Sequence, residues 1–436
     1  MTLKTISISP ARSISIELLN KIVKSNAPFE YIISTSNQFT NMDIKNRKFC
    51  RLLITVVLRK LGQIDYVLGK FLKRGIPQKQ NTFNNIMRIG VAELLFIESA
   101  KYAAINDAVE LTKLKVSKNL SKLTNAVLRN IDRDNKNVLS QLTDEMNYPK
   151  WLIKNWETSW GKQKTKEILK WLQTQPYLDL TVSGNPIEME EVIEGKFIWG
   201  KTIRKKNLIN PTTIPYFNSQ IKKYRWWVQD VSASLPGELL INSDRINIVD
   251  LCSAPGGKTA QLASSGKKII SVDINQKRVE ILKENMKRLN LEANIVISDG
   301  TLWKPNCDID AVLLDAPCSA TGTIRRHPDI LKNRTKENLN CYLEIQSRLI
   351  KQSLSWLNKN GILIYSVCSL QKEEGENQIY SILKNFKNIK ILPILPKEVS
   401  KFERAITKEG WLRIFPNCLG SDGGNDGFFI CRLQKI

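Results

Sequence analysis

Apolar residues recur at helical spacing through the first third of the chain. The stretches 49–61, 64–72, 83–96, 103–114 and 120–131 each place them on one face of a 3.6-residue repeat. Breakers fall between these stretches, as in Gly75-Ile76-Pro77. The pattern predicts a small all-α bundle over residues 1–140. A second segment, 145–235, opens at Pro149 on a run of tryptophans (Trp151, Trp156, Trp160, Trp171) and mixes helical pieces with strand-like ones such as 178–182. A small α/β module is expected there. From residue 236 to 436 the period changes again. Short β-branched runs at 246–251, 268–274, 295–298, 311–314 and 362–367 alternate with helical stretches at 276–289, 339–357 and 373–383, and 428–433 closes as a strand. Such alternation predicts α/β architecture with a mostly parallel, doubly wound sheet.

Charge adds a partner class. Lys plus Arg number 66 against 42 Asp plus Glu, a formal net charge of +24 over 436 residues. An excess of that size favours a polyanion, because Lys and Arg displace counterions from phosphates. A general bias towards Lys, Asn and Ile contributes to the same excess. The bundle's polar faces carry Lys45, Arg47, Lys48 and Arg51, and Lys113, Lys115, Lys118 and Lys122. Residues 201–206 and 222–227 set aromatics among basic side chains, which suits unstacked bases and phosphates. Solvated faces and a domain boundary account for the same residues. Eight cysteines contain no C-x-x-C pair and His327 is the one histidine, so no metal site is expected and the thiols read as reduced. Residues 1–19 are interrupted by Lys4, Arg12 and Glu17, unlike a signal peptide, and no apolar run approaches the roughly 20 residues of a membrane span. A soluble cytoplasmic protein without a membrane partner is expected.

Candidate chemistry lies at the predicted carboxyl ends of the strands. Residues 248–259, IVDLCSAPGGKT, run a buried strand into a Gly-Gly turn and a helix. Glycines let a ligand approach the backbone, and the helix N-terminus offers free N–H groups. The turn lacks both G-x-G-x-x-G and the full P-loop, which weakens a nicotinamide or ATP reading. Asp273 ends the second strand and Asp299 follows the third. Acidic groups there suit the hydroxyls and base of a bound nucleoside, although each also reads as a helix cap. The fourth strand runs into DAPCSATG (315–322) and the fifth into YSVCS (365–369). Two cysteines thus emerge beside each other where a substrate lies in open α/β sheets. A buried cysteine is often only a small hydrophobe. That reading suits Cys50, Cys307, Cys341 and Cys431 better than the serine-flanked Cys318 and Cys368.

Together DLCSAPGGK, DAPCSATG and YSVCS resemble the Fmu/Sun family of RNA cytosine-C5 methyltransferases, nearest to its bacterial members acting on small-subunit (16S) ribosomal RNA. The likeness spans nearly the whole chain. It includes NAVLR (125–129) within a NusB-like N-terminal domain, VQDVSAS (228–234), RRHPD (325–329) and DGFF (426–429). Ser253 stands where alanine is usual and Lys372 where proline is common. The resemblance implies a Rossmann-like methyltransferase domain that uses S-adenosyl-L-methionine. It implies that Cys252, Ser253, Ala254, Pro255, Gly256, Gly257 and Lys258 line the cofactor turn, with Asp273 at the ribose, Asp299 at the adenine and Asp315 in the reaction zone. Cys368 would be the nucleophile and Cys318 would assist release of the methylated RNA. A cysteine nucleophile needs a thiolate, for which Arg325 and Arg326 offer nearby positive charge. Ribosomal RNA is the implied partner of a monomeric enzyme. The competing readings are a non-catalytic NusB-like RNA-binding protein, the same methyl transfer on transfer RNA, and an amino-group methyltransferase. The last uses an Asn- or Asp-Pro-Pro-aromatic motif where this chain has Asp315-Ala-Pro-Cys318.

Overall fold

The computed structural model describes residues 8–25, 27–72, 75, 80–205 and 224–436. Lys4, Ile76, Pro77, Lys206 and Lys222 lie outside them. The chain divides into two compact units, Met1–Lys154 with His327–Asn333, and Asn155–Arg326 with Arg334–Ile436.

The first unit is helical. Its main helices are Pro10–Lys24, Ile44–Arg59, Leu61–Phe71, Asn81–Leu95, Lys101–Lys115 and Lys118–Arg133. Lys118–Arg133 shows the logic: Thr124, Val127, Leu128 and Ile131 are buried on one face, and the Ser117 side chain accepts the Leu120 N–H to cap the start. These faces meet around Leu53, Ile54, Ile64, Phe83, Met87 and Leu128. Two boundaries differ from the apolar pattern. The helix expected over 49–61 begins at Ile44, because Asp43 caps it by accepting the Asn46 N–H at 2.9 Å. It stops at Arg59, and Lys60 separates it from the next helix. Helix Pro10–Lys24 stands in a stretch whose polar interruptions mask its apolar face, where Leu18, Leu19 and Ile22 are buried. Arg12 on that helix pairs with Glu93 at 2.6 Å and with Asp107 at 2.9 Å.

The second unit holds two sheets. Strands β1 (Leu178–Ser183), β2 (Gly195–Trp199), β3 (Thr202–Lys205) and β4 (Arg225–Val228) form an antiparallel sheet in the order β2-β3-β1-β4. Trp226 and Trp227 on β4 are 4% and 5% exposed, so their rings are packed inward and not offered to RNA bases. The larger sheet contains β5 (Asn247–Leu251), β6 (Lys268–Asp273), β7 (Asn294–Ile297), β8 (Ile309–Asp315), β9 (Leu357–Val367), β10 (Ile389–Ile391), β11 (Leu412–Ile414) and β12 (Phe428–Lys435). Its order is β10-β12-β9-β8-β5-β6-β7, with β11 added beside β12. Strands β5 to β9 are parallel, whereas β12 runs antiparallel to β9. Chain order reverses at β5, which pairs with β6 on one side and β8 on the other. That switch point opens a crevice at the carboxyl ends of the parallel strands. Val249, Leu251, Val312, Leu314, Leu363 and Val367 fill one face of the sheet.

Candidate active site

The loop after β5 is shaped by backbone demands. Gly256 has φ +102°, a conformation that side chains strongly resist, and it lies immediately before helix Gly257–Ala263. The Ala254–Pro255 bond is cis. Asp273, at the end of β6, turns its carboxylate onto the same loop. One oxygen accepts the Ala254 N–H at 3.1 Å and the other the Asn275 N–H at 2.9 Å. Asp299 accepts the Thr301 N–H and hydroxyl, both at 2.8 Å. Beneath the turn, Asp250 accepts the Thr259 hydroxyl at 2.6 Å. Burial pushes its carboxyl up to about 7, against the opposing pull of that hydrogen bond and of Lys258. The Asp250 Oδ1 and Ser253 Oγ atoms are buried with no hydrogen-bond partner among the described residues. A glycine-bared turn with strand-end carboxylates and unfilled polar atoms fits a polar nucleoside ligand such as S-adenosyl-L-methionine.

Strands β8 and β9 deliver the second half of the site. Asp315 ends β8, and its carboxylate accepts the Lys258 ammonium at 2.7 Å and the Ser366 hydroxyl at 3.1 Å. Burial works against the Lys258 charge, but Asp315 outweighs it and the ammonium holds its proton more tightly than usual. Lys258 also lies within electrostatic reach of Cys368. The ladder between β8 and β9 ends at Asp315 opposite Ser366. Just beyond it, the Cys318 and Cys368 sulfurs stand 3.5 Å apart. Hydrogen bonding with Cys368, then burial, drives the Cys318 thiol well above its ordinary range, so at neutral pH it carries its proton. Cys368 is the more open of the two.

Several partners were not legible as site residues. Trp156 donates to Gln371 Oε1 at 2.5 Å and Trp160 to the Leu370 carbonyl at 3.0 Å, so the tryptophan-rich helix Lys150–Trp160 braces the Cys368 loop. Lys372, one of the two departures from the motif pattern, sits 4.6 Å over the Trp160 ring. Arg325 and Arg326, expected to supply charge near the thiolate, are committed elsewhere. Arg326 pairs with Asp230 and, at 2.8 Å, with Asp426, while Arg325 donates to the Gly423 carbonyl at 3.2 Å. Among the described residues no group of His, Cys, Asp and Glu is arranged to hold a metal.

Residues 239–434 match the family described as 16S rRNA methyltransferase RsmB/F, and residues 9–133 match the NusB family. Over residues 239–434 the chain is similar to the RsmB/F methyltransferases. Its relatives include the ribosomal RNA small subunit methyltransferase B of Photorhabdus laumondii, 28% identical over 97% of this chain and 98% of that one. The probable ribosomal RNA small subunit methyltransferase B of Bacillus subtilis is 26% identical with the same coverage. Among solved structures, PH0851 superposes over 99% of both chains with a TM-score of 0.76 at 21% identity. NSun6 from Pyrococcus horikoshii, solved with SFG, matches 66% of this chain and 98% of its own with a TM-score of 0.51 at 18% identity. Both share the fold.

Proposed function

We propose that this methyltransferase modifies carbon 5 of a cytosine in small-subunit (16S) ribosomal RNA through a transient bond to Cys368, working as a monomer in the cytoplasm. The observation that carries this reading is the pair of sulfurs, 3.5 Å apart at neighbouring strand ends and beside the Lys258–Asp315 ion pair. The names of the relatives support the RNA class.

Carbon 5 of cytosine is a poor nucleophile. When the Cys368 thiolate adds to carbon 6, the ring becomes enamine-like and carbon 5 gains electron density. This is covalent catalysis, which divides one hard step into easier ones. S-Adenosyl-L-methionine supplies an electrophilic methyl group on sulfur. The turn 252–258 would hold that donor, with Asp273 at its ribose and Asp299 at its adenine. The Lys258 ammonium lies within electrostatic reach of Cys368 and supplies the positive charge there, whereas Arg325 and Arg326 are paired elsewhere. Asp315 hydrogen-bonds the ring as charge develops on it, a preorganised electrostatic contribution. After methylation the carbon-5 proton passes to water or another base, its electron pair restores the carbon 5–carbon 6 double bond, and the carbon–sulfur bond breaks to return the Cys368 thiolate. Cys318 assists this release, having a sulfur within reach of the bond that must break. The target nucleotide has to leave its stack to meet both groups.

Replacing Cys368 with Ala should abolish transfer of labelled methyl to ribosomal RNA. Replacing Cys318 with Ala should let addition proceed and block release, leaving a protein–RNA adduct on denaturing gels. Undiminished transfer by Cys368→Ala would sink the mechanism. A map of 5-methylcytosine in cells lacking the protein should lose one small-subunit site; an unchanged map would point to transfer RNA instead.

A further inference from the structure

Between the two cysteine loops lies a carboxyl that no step above uses. Glu374 is fully buried in the turn after β9. One of its oxygens accepts the Ser319 N–H at 2.8 Å and the Gln346 side-chain amide at 3.1 Å. The other accepts the Ser319 hydroxyl at 2.5 Å and the Ser369 hydroxyl. Ser319 directly follows Cys318, and Ser369 directly follows Cys368. Gln346 also donates to the Pro317 carbonyl at 2.9 Å, so Cys318 is held on both sides. The Glu374 carbonyl accepts the Tyr365 hydroxyl at 2.5 Å, which ties the turn back to β9.

The sheet alone does not set the sulfur spacing, because the β8–β9 ladder ends at Asp315 and Ser366, before either cysteine. A buried carboxyl costs several kcal/mol unless donors satisfy it. Here those donors come from the two segments whose separation matters. We propose that Glu374 is a positioning residue that sets the Cys318–Cys368 distance by clamping Ser319 and Ser369 to one buried carboxyl. The proposal rests on the reading of both cysteines as reacting groups.

The full-length protein tests it through the thiols themselves. Equilibration with oxidised and reduced glutathione reads how well the two sulfurs are apposed. The Cys368 thiolate attacks the glutathione disulfide and releases one glutathione. Cys318 then displaces the second, so two protein thiols are oxidised as one disulfide is reduced. Peptide mapping should find the Cys318–Cys368 bond in the wild type. In Glu374→Ala the equilibrium constant for that bond should fall at least about tenfold, and kcat on ribosomal RNA about 100-fold with KM little changed, the scale expected when reacting groups are misplaced by about 1 Å. Glu374→Gln keeps an oxygen for the Ser319 N–H and should recover most of both. An alanine variant that melts earlier but matches the wild type in thiol equilibrium and kcat would overturn the proposal, as would a wild type that forms no such bond. Methyl transfer surviving Cys368→Ala would remove the cysteine chemistry, while the glutathione equilibrium would still read Glu374 directly.

Discussion

At the residue scale, buried acids show how ligand chemistry and stability compete. Asp250 lies beneath the glycine turn after β5 with its folded-state value raised to about 7 by burial. A carboxyl raised in this direction favours folding while protonated. Its contribution is complete below about pH 4 and disappears as pH rises through 7. The shift of about three units corresponds to an upper limit of roughly 4 kcal/mol. Asp250→Asn should therefore match the wild type near pH 4 and become the more stable protein by pH 8, as measured by urea unfolding across that range. Parallel curves at all pH values would show that Asp250 stays ionised in the folded state. The same residue marks a limit of sequence reading. Asp250 has the spacing of an ordinary buried strand position, and only the three-dimensional packing around Thr259 makes it an acid with a displaced titration.

At the element scale, strands and helices with strong periodicity were legible and their edges were not. Strand β6 (Lys268–Asp273) and helix Gln276–Leu289 follow the apolar pattern closely, because one face of each is buried. Strand β9 begins at Leu357, where Asn358, Lys359 and Asn360 are exposed and give no apolar signal. The hairpin β2–β3 and the three-residue strands β10 and β11 are too short to show a period. The helix expected over 373–383 starts only at Glu376, so Glu374 belongs to a turn and faces inward. The glycines of the turn after β5, the strand-end aspartates and both cysteines could be named from motifs alone. Some of the supports around them come from more than 200 residues away and leave no local trace. Trp156 is one such support, and its indole hydrogen bond to Gln371 spans 215 positions. Trp156→Phe keeps the ring but leaves Gln371 short of a donor, at a cost of about 1–3 kcal/mol. We expect a lower melting temperature and a slower single-turnover methyl transfer. An unchanged turnover rate would confine the brace to stability.

At the scale of the whole molecule, charge and topology set how the enzyme meets RNA and how it is built. With a net charge of +24, RNA binding should be strongly salt-dependent. If six single-stranded phosphates are contacted, the plot of log affinity against log salt has a slope of about −4. Filter binding of a small-subunit RNA fragment between 50 and 200 mM salt measures it. A flat response would mean that the lysines serve mainly as solvated faces. The two units also divide one motif between them: Arg325 and Arg326 belong to the methyltransferase body, whereas His327, Pro328 and Asp329 belong to the helical one, where Asp329 accepts the Phe29 N–H at 3.1 Å.

The antiparallel pairing of β12 with β9 has a bearing on synthesis. β12 leaves the translating ribosome after every other strand of its sheet, yet it covers the outer edge of the strand that leads to Cys368. Until it arrives, a nascent chain that has already formed β5 to β9 presents an open row of backbone donors and acceptors, a template for unwanted pairing. The Cys368 sulfur therefore gains its finished surroundings only once β12 has been made.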